Sequence, residues 1–180
     1  MSDEQVYIRF AEEGDAKELA AMYSHNREFF EQFSPDNTDE FYTEERQLQM
    51  IEKSKTDRAE DRKYDFLICH KETDTIIGNA GLSFIVRGPL QRCMIGYTLD
   101  QNYNGKGYMT EAVKLVVRYA FEELKFHRIY AEASPRNPGS IRVLEKAGFH
   151  KEGISRSNLK IHGVWEDHQV LAIINPCDSI

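Results

Sequence analysis

The sequence predicts an α/β (α+β mixed sheet) chain: one mixed β-sheet with helices on both of its faces. Three observations point there. A strand–helix–strand piece runs from Cys93 to Ala133, which calls for a right-handed crossover between parallel strands. Three strand patterns in succession precede it and read as an antiparallel meander. Two helical patterns occupy the first third of the chain, where no meander pattern appears. At 180 residues, 41% of them hydrophobic and with 11 Gly and 5 Pro, the chain fits a single globular domain over residues 1–180.

The elements follow in order. Val6–Phe10 reads as a first strand. Asp15 offers a helix N-cap, with Glu18 three residues on completing a capping box. Leu19, Met22, Tyr23, Phe30 and Phe33 then recur at helical spacing, and Ser34-Pro35-Asp36-Asn37 breaks the chain. Thr43 caps a second, weakly apolar helix with Leu48 and Ile51 on one side, expected on the surface over a cleft. Tyr64–His70, Ile76–Val86 and Cys93–Leu99 are the meander strands, with turns at Glu72-Thr73-Asp74 and Arg87-Gly88-Pro89. The loop Asp100–Gly107 leads to the strongest helix, about Thr110 to Leu124, with apolar Val113, Val116, Val117, Ala120 and Phe121. Arg128–Ala133 is a strand. A helix near Asn137–Ala147 ends at Gly148, a left-handed C-cap. Two strands, around His150–Ser155 and His168–Ile174, close the chain, with His162-Gly163 as a hairpin turn.

Charge is unevenly placed. The net charge is −7, yet residues 1–62 hold 17 acids and 8 bases, a net of −9, and residues 63–180 carry +2. No concentrated basic stripe exists, which argues against nucleic acid as a partner. The longest apolar runs, such as Val170–Ile174, are strand-sized, so no membrane span is expected. Met1-Ser2-Asp3-Glu4 lacks the basic start and apolar stretch of a signal peptide. Cys69, Cys93 and Cys177 are odd in number and widely spaced, and the six His show no paired spacing. Neither a disulfide framework nor a metal site is expected, and reducing cytoplasm is the expected compartment.

The most informative stretch is Leu99-Asp100-Gln101-Asn102-Tyr103-Asn104-Gly105-Lys106-Gly107-Tyr108-Met109-Thr110. Gly105 and Gly107 let the backbone curl toward a ligand. Free N–H groups at the start of the following helix, with its dipole, make an anion site suited to a pyrophosphate. The run is not a Walker A loop, and Thr110 stands where a dinucleotide fingerprint needs its third glycine. An ordinary glycine turn capped by Thr110 remains the other reading of these residues.

Ile95-Gly96-Tyr97-Thr98-Leu99 followed by Asn104-Gly105-Lys106-Gly107-Tyr108-Met109-Thr110-Glu111-Ala112 resembles the acetyl-CoA-binding motif of the GNAT N-acetyltransferase superfamily. A second block, Asn137-Pro138-Gly139-Ser140-Ile141-Arg142-Val143-Leu144-Glu145-Lys146-Ala147-Gly148-Phe149, is similar to that superfamily's next segment. The two cover about Cys93–Phe149 and most resemble the subgroup that acetylates ribosomal-protein N-termini at alanine or serine. The resemblance implies a mostly antiparallel sheet with a central, splayed parallel strand pair. Acetyl-CoA would lie in the opening. Backbone groups of Tyr97, Thr98 and Leu99 would hold its pantetheine, N–H groups of Gly105, Gly107, Tyr108 and Met109 its pyrophosphate, and Asn137 its arm. Asn104, Lys106 and Thr110 complete the cofactor set, Lys106 as partner to a phosphate or as a solvated lysine.

Two departures bear on catalysis. Many relatives carry a Glu base where Cys93 stands and a Tyr acid where Leu144 stands. The subgroup instead implies Ser140 as the proton donor to the departing thiolate, although Ser140 also fits a capping or packing role. Cys93 reads as a small buried hydrophobe. Glu166, Asp167 and His168 offer a water-mediated base or a solvated strand end. Glu28, Glu31, Asp36, Asp39 and Glu40 are either a solubilising surface or a rim drawing in a cationic acceptor. Trp165 reads as core or cleft lining. The expected activity is acetyl transfer to a primary amine, most like a ribosomal-protein N-terminus. A polyamine or aminoglycoside acceptor, or acyl-CoA binding without catalysis, are the alternatives. A homodimer through the final strands fits the pattern, and no metal is expected.

Overall fold

A computed structural model describes residues 4–178, so Met1–Asp3, read above for a leader, lie outside the described residues. Seven strands form one sheet in the order β1-β2-β3-β4-β5-β7-β6. They are β1 (Val6–Phe10), β2 (Tyr64–His70), β3 (Ile76–Val86), β4 (Arg92–Leu99), β5 (Arg128–Ala133), β6 (His150–Ile161) and β7 (Val164–Ile174). Every neighbouring pair is antiparallel except β4 and β5, the two strands joined through a helix.

Side-chain alternation puts helices on both faces. In β2, Phe66 and Ile68 pack in one core cluster with Val113 and Val116 of α4 (Tyr108–Glu122) and Leu144 of α5 (Pro138–Lys146). Leu67 and Cys69 point the other way, onto Leu19 and Met22 of α1 (Ala16–His25) and Ile51 of a later helix, Glu44–Ala59. Burying such a side chain stabilises by ~1.5–3 kcal/mol, so both faces contribute. No helix among the described residues is long and apolar enough to cross a membrane.

The N-terminal third corrects several expectations. The Asp15–Glu18 capping box does not form. Asp15 is taken by Arg9 at 2.7 Å and by the Glu12 N–H, one turn earlier, and Glu18 accepts from the Ile76 N–H. The first helical pattern breaks at Asn26 into α1 and a short α2 (Arg27–Phe30). Asn26 is fully buried; its amide donates to the Met22 carbonyl and accepts from the Gln101 N–H, both at 2.9 Å. Thr43 caps α3 (Glu44–Ala59) through the Arg46 N–H, as expected. Ile51 is buried but Leu48 is exposed, because α3 packs sideways on α1 and not over the cleft.

Elsewhere the strands run longer. β6 and β7 extend to meet at His162-Gly163, with register slips after Lys151 and Ser155. α4 begins at Tyr108, two residues before Thr110, because Gly107 at φ +87° turns the chain and its carbonyl already accepts from Glu111.

Candidate functional site

β4 and β5 pair only at Arg92↔Arg128, Cys93↔Ile129 and Met94↔Tyr130. Beyond Met94 the strands part, and β4 continues paired with β3 alone. A cleft of about 1000 Å³ opens there, as large as the cavities that take sizeable ligands. Its walls come from the second half of β4, the start of α4, the start of α5 and the end of β5.

Almost every predicted site residue lines it. Tyr97, Thr98 and Leu99 form the β4 wall. Asn104, Gly105, Gly107, Tyr108, Met109 and Thr110 form the end. Gly105 sits at φ +77° and Gly107 at φ +87°, the left-handed region where a Cβ is costly. The N–H groups of Gly105, Gly107, Tyr108 and Met109 have no acceptor among the described residues, so the loop presents a row of unpaired donors. His70 holds the Tyr108 hydroxyl at 3.3 Å and steadies that turn. Lys106 is the exception. It does not line the cleft, and its ammonium lies 5.5 Å from the Tyr103 ring centroid.

Asn137 and Ser140 line the facing wall. Asn137 caps α5, its Oδ1 accepting from the Ser140 N–H at 3.1 Å. Ser140 is therefore not the cap, and its side chain is turned to Tyr97. The Tyr97 and Ser140 hydroxyl oxygens are 2.9 Å apart, and the phenol also reaches the Ser140 carbonyl at 3.2 Å. Burial pushes the Tyr97 phenol up to about 12, with the Ser140 contact opposing, so the phenol keeps its proton at any physiological pH. Cys93 is buried at the closed end of the strand pair, its thiol pushed up to about 12 by desolvation. It is protonated and packed in the core, and Leu144 is buried beside the cleft.

Of the three tail candidates, only His168 reaches the cleft. Glu166 pairs with Arg136 at 2.6 Å, and Asp167 accepts from the Ser157 N–H. Trp165 is neither core nor lining; it is 58% exposed on the β6–β7 hairpin. The acidic first segment also reads differently in three dimensions. Its contributions to the cleft are Phe29, Phe30, Phe33 and Ser34, not carboxylates. Glu31 and Asp39 are held by Arg27, and Asp36 by His162.

Among the described residues the one acid lining the cleft is Glu132, which sequence reasoning missed. Strand alternation carried the signal: Ile129, Ala131 and Ala133 face the core, so Tyr130 and Glu132 face away from it. Asn158 donates to Glu132 at 2.6 Å. Phe84 is another missed residue, and it too lines the cleft. Together the cleft offers backbone donors for an anion, two hydroxyls in contact that can pass a proton, and one carboxylate for a cation.

Known proteins resemble this chain in sequence and fold. A family profile described as "Acetyltransferase (GNAT) domain" matches residues 5–150. The chain is 56% identical over 174 residues to a probable N-acetyltransferase of Bacillus subtilis, YjcK, covering 97% of this chain and 96% of the relative. It is 31% identical over 179 residues to the [ribosomal protein uS5]-alanine N-acetyltransferase of Escherichia coli, covering 98% and 91%. The crystal structure of a ribosomal-protein-S5-alanine acetyltransferase from Vibrio fischeri superposes with a TM-score of 0.92 at 32% identity, covering 98% of this chain and 97% of that one.

Proposed function

Since this chain belongs to the GNAT acetyltransferase family and is an N-acetyltransferase that uses acetyl-CoA, we propose that its acceptor is the N-terminal amine of a protein, with ribosomal proteins as the acceptor class and the cytoplasm as its place of work. The observation that carries the reading is the likeness, over nearly the whole length of both chains, to enzymes named for alanine N-termini of a ribosomal protein.

The cleft suits the cofactor. Unpaired N–H groups at Gly105, Gly107, Tyr108 and Met109 match a pyrophosphate, and the β4 backbone left without a β5 partner matches an amide-bearing pantetheine arm. Asn137 has its amide nitrogen left for that arm, since only its oxygen caps α5. Acetyl-CoA supplies the acetyl group as a thioester. The protein's own residues do the rest. Glu132 attracts the acceptor ammonium and takes its proton, directly or through water. The neutral amine attacks the thioester carbon and the C–S bond breaks; Ser140 Oγ–H gives a proton to the leaving sulfur and is restored, through water, by the proton that the new amide nitrogen sheds. Tyr97, a permanent donor, orients the Ser140 hydroxyl.

Proton chemistry also favours an α-amine over a polyamine. An α-amino group titrates near ~7.7–8.0 and an alkylamine near ~10.4. Roughly a tenth of the former is already neutral at pH 7, so one carboxylate is base enough. The test is a panel of ribosomal-protein N-terminal peptides against spermidine and an aminoglycoside, with acetylation read by intact mass. Efficient turnover of peptides beginning with Ala or Ser is expected; turnover confined to the small amines would overturn the reading.

A further inference from the structure

We infer that the enzyme grips its acceptor chain beyond the acetylated residue, through an apolar side chain that docks on a wall made by Phe84, Leu159, Phe29 and Phe33. This rests on the peptide-acceptor reading above and specifies how the peptide is held.

Phe84 is aimed there by a break in its strand. In β3, Leu82 packs in the core, and the next residue to do so is Ile85, three positions on. A regular strand repeats every two residues. The slip falls at Phe84, whose φ is +49°, where the register with β4 shifts between Ser83 and Val86. The bulge takes Phe84 out of the core and leaves it 68% exposed, lining the cleft. A large aromatic in a left-handed conformation and facing water gains little from the fold. Bulges that re-aim a side chain recur beside active sites.

Several large apolar side chains are exposed, but among the described residues only Phe84 and Leu159 of these line this cleft. Trp165 and Ile154 do not. Phe29 and Phe33 complete the wall from α2 and its following turn, Phe29 against Phe30 with centroids 5.9 Å apart and Phe33 beneath the Arg136 guanidinium at 5.7 Å. All four side chains line the same cleft as Glu132. Asn158, the neighbour of Leu159 on β6, is the residue that holds Glu132. An amine held at Glu132 would therefore sit in a cleft whose wall also presents Leu159. A free polyamine offers only short methylene spacers between ammonium groups, with no branched or aromatic side chain to cover these rings. A peptide has one wherever its sequence places it, and the occupant is the acceptor's own second to fourth residue.

The experiment uses the full chain with peptides beginning in Ala, matched in net charge, with Leu or Ser scanned through positions 2, 3 and 4. At one of these positions Leu is expected to lower the peptide KM about tenfold relative to Ser, the size of a single apolar contact. F84S and L159S should each bring the Leu peptide's KM toward that of the Ser peptide; two variants guard against one folding poorly. Equal KM for Leu and Ser at all three positions, or a preference surviving in both variants, would overturn the inference and leave the peptide reading standing. No turnover on any peptide would remove both.

Discussion

The Tyr97 phenol oxygen stands 2.9 Å from the Ser140 hydroxyl oxygen, joining residues 43 apart in the chain across the point where β4 and β5 separate. The phenol has one proton and two acceptors within reach, the Ser140 hydroxyl and its carbonyl. When it donates to the hydroxyl, the Ser140 proton is released toward the cleft.

A paired loss in turnover is expected from that geometry. S140A should lower kcat about 100-fold, the low end of a general-acid contribution, with the acetyl-CoA KM little changed. Y97F should cost about tenfold, one hydrogen bond of ~1–1.5 kcal/mol. In the S140A background, Y97F should cost almost nothing, since the two act as a unit. Additive losses, measured by steady-state kinetics on all four proteins, would separate the residues.

On the proposed reading, Glu132 is the carboxylate that attracts the acceptor. E132Q should lower kcat/KM about tenfold for cationic peptides without altering the acetyl-CoA KM. Added salt should raise the peptide KM of the unmodified enzyme and leave that of E132Q nearly flat, because screening acts on a charge pair that the variant lacks. A salt slope that persists in E132Q would assign the attraction to the acidic residues of the first segment instead.

Gly78 is a place where the β4 wall tolerates no side chain. A Cβ there would lie 2.3 Å from the Thr98 carbonyl oxygen, backbone that cannot swing aside. G78A should destabilise by about 2 kcal/mol and lower Tm by about 4–8 °C. It should also raise the acetyl-CoA KM, since Thr98 lines the cleft. Calorimetry and kinetics on the same preparation check both.

A pH effect follows from His162. Its ring meets the Glu31 carbonyl at 2.9 Å and Asp36 at 3.3 Å, and these contacts, the carbonyl first, raise its pKa above 6.5. The Glu31 carboxylate itself is engaged by Arg27 and Tyr42, and Glu166 by Arg136. A raised folded-state pKa means the tether contributes fully below pH 6.5 and is lost as pH rises through the raised value. Amide exchange in residues 31–37, corrected for intrinsic rate, should be slower at pH 6 than at pH 8. H162Q should remove the difference.

The sequence made local features legible and left distant ones hidden. The glycine loop and the helix after it are contiguous, so a candidate anion site is legible in Gly105 and Gly107 in order. The strand succession was legible for the same reason. Asp15 looked like a cap because its local spacing is right, but Arg9, six residues back, binds its carboxylate more strongly. The break at Asn26 depends on a loop 75 residues away. Ser140 can be singled out by resemblance, yet the same resemblance uses only the backbone of its partner Tyr97. Phe84 escaped notice because the pattern of β3 is alternating up to the residue where it slips.

Asn26 has a consequence for how the enzyme can be altered. Its one amide ties the turn that carries Phe29 and Phe33 to Gln101, the head of the segment that ends in Gly105 and Gly107. The proposed acceptor wall and the proposed cofactor cradle are thus hung from a common peg. Loop exchanges meant to retune acceptor choice will disturb cofactor affinity unless this asparagine and both its bonds are carried along.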